Sequence, residues 1–142
     1  MARMSGEDYR LFVKNASSVY NDIDGEVSLQ PNRQTNMRDQ SVKGDGAYMV
    51  KKPAKTDVTI NLSGKLQLPD PDGIERVHDL AKTRTAADYQ IRVTPFSGTD
   101  VIFEASMYAS NMSGPGADDD DNGTFSFQLT LAATPTIDKL TP

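Results

Sequence analysis

Apolar and polar residues alternate with period two over three long stretches. Val58, Ile60, Leu62, Gly64, Leu66 and Leu68 share one side, and Thr59, Asn61, Ser63, Lys65 and Gln67 the other. Val101, Phe103, Ala105, Met107 and Ala109 oppose Ile102, Glu104, Ser106, Tyr108 and Ser110. Phe125, Phe127, Leu129, Leu131 and Ala133 oppose Thr124, Ser126, Gln128 and Thr130. Successive side chains of a strand point to opposite faces, so each stretch predicts a strand with one buried and one wet face. That pattern belongs to antiparallel sheets. Shorter alternations predict strands at 9–13, 25–30 and 89–94.

The period changes once. Ile74, Val77, Leu80 and Ala81 recur at helical spacing, and Asp72 with Glu75, just after Pro71, has the acid spacing of a capping box. Lys82 and Arg84 suit the C-terminal end of the dipole. The apolar stripe is one-sided, so this helix is expected to lie on the sheet. His78 falls at the stripe's edge and reads as a packing or surface residue.

These elements predict a mainly β domain: an antiparallel β-sandwich or barrel with one covering α-helix, a long inter-strand loop and terminal arms. The domain spans 9–135, with arms at 1–8 and 136–142. The loop, 36–55, is long for a compact domain, and loops of that length are usually functional. It carries an apolar cluster, Tyr48-Met49-Val50, beside the basic residues Arg38, Lys43, Lys51, Lys52 and Lys55. The long strands have wet faces of Ser, Thr, Asn and Gln with few charges to block edge pairing. Edges of that kind invite pairing with another chain, so self-association is expected.

Composition acts mainly by exclusion. The 142 residues include no cysteine, one histidine and no tryptophan. Disulfides, thiol nucleophiles and zinc–thiolate sites are therefore excluded. No apolar run approaches the ~20 residues of a membrane-spanning helix, and no secretory signal is visible at the N-terminus. The net charge is −5, and all of it sits after residue 100, where six acids face one lysine. A net-acidic chain without a basic stripe is a poor candidate for gripping nucleic acid. Asp118-x-Asp120-x-Asn122-Gly123 matches the first half of a calcium loop, but Leu129 stands where the bidentate acid belongs. The run 118–121 thus reads as a solvated acidic turn. No phosphate loop or paired-carboxylate site emerges, so no enzyme, metal or cofactor is expected.

The order of elements resembles the major tail tube proteins of long-tailed, siphovirus-like bacteriophages and related tail-like particles. The residues carrying the resemblance are Ile23-Asp24-Gly25-Glu26-Val27-Ser28-Leu29, then Asn32-Arg33-Gln34-Thr35 and a long loop. Asp57-Val58-Thr59-Ile60-Asn61-Leu62-Ser63-Gly64 follows, and Gly123-Thr124-Phe125-Ser126-Phe127-Gln128-Leu129 with Ala133-Thr134 closes it. The resemblance implies a structural virion protein forming hexameric rings that stack into a hollow tail tube for DNA delivery. It implies as partners other copies of itself, a tape-measure protein, tail terminator and distal tail proteins, and DNA that passes without specific binding. It also implies assembly in a host cytoplasm and a place in the virion tail. On that reading the lumen candidates are Thr59, Asn61, Ser63, Lys65, Glu104, Ser106, Ser126, Gln128 and Thr130. The ring-to-ring contact candidates are Arg38, Lys43, Tyr48, Met49, Val50, Lys51, Lys52 and Lys55 with Asp118, Asp119, Asp120 and Asp121. A tail terminator, tail-completion or secretion-tube protein would share the fold. A carbohydrate-binding β-sandwich would want exposed sheet aromatics, and Tyr108 alone answers on the long strands' outer face.

Overall fold

One sheet runs through the chain, because the alternating stretches pair with one another and not in separate layers. The computed structural model describes residues 8–40, 42, 44, 46–117 and 123–142. The strands are β1 (Tyr9–Lys14), β2 (Tyr20–Asp22), β3 (Glu26–Asp39), β4 (Lys51–Lys65), β5 (Ala87–Val93), β6 (Val101–Ala117), β7 (Gly123–Leu131) and β8 (Ile137–Asp138). Helix α1 (Ile74–Thr83) lies between β4 and β5. The sheet order is β2-β1-β5-β6-β7-β4-β3, and β8 pairs with β6 beyond the end of β7.

The inner face holds the core. Leu11 and Val13 of β1, Val58, Ile60 and Leu62 of β4, Met107 of β6, and Phe127 and Leu129 of β7 are buried. The register aligns Ile60 with Leu129 and Leu62 with Phe127. Full burial of each such side chain stabilises by about 1.5–3 kcal/mol. A slip of one residue would bring Ser63 and Ser126 inside in their place, so this register is firmly specified. The sheet curls until β1 approaches β3, where the Glu26 carboxylate accepts a hydrogen bond from the Leu11 N–H at 2.9 Å. Ile74, Val77 and Leu80 of α1 join the same core, so the helix covers the sheet as its stripe predicts.

The start of β3 requires glycine. Gly25 has φ +84°, and a Cβ there would collide with the Lys65 carbonyl. Gly64, opposite Glu26 in the ladder, is equally tight, because a Cβ there would meet the Gly25 carbonyl.

Three expectations are corrected. The span 36–55 is not a loop throughout: Met37, Arg38 and Asp39 pair with Pro53, Lys52 and Lys51. β7 accompanies β4 only over residues 59–65. Further out, β3 and β4 therefore form a two-stranded ribbon, exposed along nearly its whole length. The ribbon is wet on both faces, so it leaves no alternation to read. The segment 136–142 is not wholly a free arm, since β8 is bonded to β6 and Asp138 forms an ion pair with Arg33. The helix cap is also shifted. Asp70 accepts from the Ile74 N–H at 3.1 Å and from the Asp24 N–H at 3.2 Å, while Glu75 accepts from the Asp70 N–H at 2.7 Å. The reciprocal acids are Asp70 and Glu75, and Asp72 is exposed.

Asp70→Ala is expected to cost about 1–2 kcal/mol, the usual loss of an N-terminal cap. Asp72→Ala should stay within about 0.5 kcal/mol of the parent, as for a surface change. Urea denaturation midpoints of the two variants check this; equal losses would contradict the cap assignment.

Candidate functional site

The outward face of β3, β4, β7 and β6 is a neutral polar surface built row by row. Thr59 stands between Asn32 and Thr130, and Thr130 is followed by Tyr108. Asn61 stands between Gln30 and Gln128, and Gln128 is followed by Ser110. Ser63 stands between Ser28 and Ser126. Asn111 Nδ2 donates to the Gln128 side-chain oxygen Oε1 at 2.6 Å and caps the middle row. Lys65 pairs with Thr124 at the end of the face. The structure thus brings together seven of the residues singled out from sequence: Thr59, Asn61, Ser63, Lys65, Ser126, Gln128 and Thr130. Sequence reasoning missed Ser28, Gln30, Asn32 and Asn111. The first three alternate with Leu29 and Pro31, which lie opposite Leu62 and Ile60 on the core side, so the short alternation at 25–30 carried the signal that could have placed them.

Glu104 and Ser106 lie on the same side of β6 but are separated from these rows. The segment after β7 runs across them, with the Ala132 N–H donating to the Ser106 carbonyl and the Thr136 N–H to that of Glu104. The Glu104 carboxylate accepts from Gln90 at 2.7 Å, Tyr20 at 2.8 Å and Thr136 at 3.0 Å. The Gln90 hydrogen bond, opposed by burial and reinforced by Tyr20 and Thr136, holds its carboxyl below the usual carboxylate range. Glu104 therefore ties β2, β5 and the C-terminal segment together and adds no open charge to the polar face.

Of the ring-contact candidates, Arg38, Lys51, Lys52 and Lys55 lie on the exposed ribbon, with Arg38 directly opposite Lys52. Tyr48, Met49 and Val50 are at its tip, where Tyr48 is 83% exposed and Met49 66%. Lys43 and Asp118–Asp121, and with them the calcium-like turn, lie outside the described residues. The residues flanking that turn, Ala117 and Gly123, pair beside the Lys65 end of β4, opposite the ribbon tip. Among the described residues, no group of three His, Asp or Glu side chains is placed to hold a metal ion.

Solved structures share this architecture over nearly their full length. The tail of an empty GTA particle, refined helically with C6 symmetry, matches with a TM-score of 0.78 at 12% identity, covering 95% of this chain and 98% of that one. The fold is the tail-tube fold. The SPP1 tail tube matches with a TM-score of 0.65 at 10% identity, over 97% of this chain and 81% of that one. The sheath/tube terminator of a PVC extracellular contractile injection system matches with a TM-score of 0.58 at 13% identity, over 94% and 95%. No protein-family model and no curated protein matches the chain.

One titratable group sits at the seam of this tail-tube fold. Glu26 Oε1 bonds the Leu11 N–H, while Oε2 is buried without a partner among the described residues. Burial, opposed by the Leu11 hydrogen bond, raises its pKa from 4.5 to about 8. Folding therefore takes up a proton between the unfolded pKa of 4.5 and the folded value of about 8. The seam's stability is full below pH 4.5 and falls as pH rises towards about 8. Glu26→Gln keeps the acceptor for Leu11 and removes the titration. Its unfolding free energy is expected to lose that slope between pH 4.5 and about 8; chemical denaturation across the window checks it, and an unchanged slope would refute it.

Proposed function

We propose that this chain is a tail-tube subunit: copies close into hexameric rings, and the rings stack into a hollow tube through which DNA is delivered. The observation that carries the reading is the match to a C6-symmetric tail over 95% of this chain and 98% of the other. The edge geometry supports it. β3 ends the sheet with an exposed strand of 14 residues, and an open edge of that length is a template for another chain. A closed ring satisfies such edges by repeating one heterologous contact around an axis.

In this reading the neutral rows line the lumen. DNA binding is driven largely by cations that neutralise phosphates. The rows around Thr59, Asn61 and Ser63 offer hydroxyls and amides, with Lys65 at their margin. A strand of DNA would find little to hold it. The tape-measure, terminator and distal tail proteins are the partners such a tube requires, and the virion tail is its place after assembly in the host cytoplasm.

Purified protein is expected to form hollow tubes with six-fold symmetry by electron microscopy. Rings that never extend would favour a terminator, and a monomer at high concentration would overturn the reading. Asn61→Arg with Gln128→Arg should leave tubes intact and make them retain DNA at low salt, protected from nuclease. Retained DNA that nuclease digests freely would put this face on the outside.

A further inference from the structure

Beneath α1, at the Lys65 end of β4, lies an open cavity of about 220 Å³. Its floor is apolar, formed by Leu66, Ile74, Met112 and Phe125, and its rim carries Leu68, Glu75, His78 and Asp79. For comparison, a hydrocarbon-lined cavity of roughly 150 Å³ admits a benzene ring. Leu68 is 62% exposed at its mouth. At the other end of β4, the ribbon tip exposes Tyr48 and Met49 beside Lys51, Lys52 and Lys55. The tip is apolar with a basic flank, and the cavity is apolar with an acidic rim.

Between the two runs the 15-residue strand β4, about 46 Å long at roughly 3.3 Å per residue. The tip cannot reach the cavity of its own chain. Plug and socket sit at opposite ends of one strand, so their union is heterologous and extends as an open chain of copies. We propose that the cavity under α1 is the socket for the Tyr48–Met49 tip of the next copy along the tube. The basic flank of the tip then faces Glu75 and Asp79 across the joint. This rests on the tube reading and adds to it a defined ring-to-ring contact.

The chain has no cysteine, so two introduced thiols report the contact directly. Tubes of a Tyr48→Cys, Leu68→Cys double variant are treated with an oxidant or a short bis-maleimide. A covalent ladder running beyond six subunits is the expected result. A mixture of the two single variants should stop at dimers, and Tyr48→Cys paired with Asn61→Cys, on the polar face, should give no ladder. A ladder ending at six would mean contact within a ring and would overturn the axial socket. Normal tubes without any ladder would also overturn it and assign the cavity to another occupant, leaving the tube reading intact. Failure of the parent protein to form tubes strikes the tube reading instead. As a second measure, Tyr48→Ser with Met49→Ser should fold normally, because both side chains are exposed. It should raise the protein concentration needed for tubes roughly ten-fold or more, as for loss of a contact hot spot; an unchanged threshold would count against the socket.

Discussion

Because neighbouring side chains on β4 point to opposite faces, the burial of Val58, Ile60 and Leu62 decides where Thr59, Asn61 and Ser63 go. The same coupling acts through β7, where Phe125, Phe127 and Leu129 are inside and Ser126, Gln128 and Thr130 follow outside. Neither set is free to move alone. A register slip would have to expose several fully buried residues at about 1.5–3 kcal/mol each, a large fraction of a domain's net stability. The polar face therefore needs no stabilisation of its own. It can remain neutral and lightly bonded because the hidden face holds it in place.

β4 also outruns the sheet that anchors it. Its inner half is flanked by β3 and β7 and contributes to the core, while its outer half has only β3. An isolated two-stranded ribbon is marginal in water. Here it is a continuation of strands already fixed at their base, so the entropy of nucleating it has been met elsewhere. The bulge between Thr35 and Met37 falls within the ribbon, a few residues beyond the last β4–β7 pair, and a bulge of this kind bends and twists a strand locally. The result is a lever of defined direction that carries apolar residues far from the core.

What could be read from sequence follows from this division. The three long strands, the helix stripe and seven of the polar-face residues were legible because one side of each element is buried. The ribbon was not, because residues wet on both sides carry no period. β2 and β8, at three and two residues, are too short to show one. Glu104 was read as open because alternation gives the side of a strand but not what crosses over it. The cap was misplaced by two residues because Asp70 is buried under Asp24 and Gly73, a tertiary fact. Gly73 fits there because a Cβ would strike the Asp70 carboxylate. The seam carboxylate Glu26 gave no local signal, since its partner Leu11 lies 15 residues earlier on β1.

The charge distribution gains meaning on this frame. Residues 1–100 balance, and the excess acid belongs to 101–142. Four of those acids lie in sequence between Ala117 and Gly123, which stand beside the Lys65 end of β4. The basic ribbon occupies the opposite end. A single exposed ion pair contributes about 0–1 kcal/mol, too little to hold two copies together, and salt weakens it further. Its value lies in direction. If copies stack head to tail, basic ends meet acidic ends; if one is reversed, like charges meet and repel. Apolar contacts at the tip can supply adhesion without knowing which way a copy faces. In the proposed tube, charge segregation along the long axis would supply that information, and each ring would repeat it.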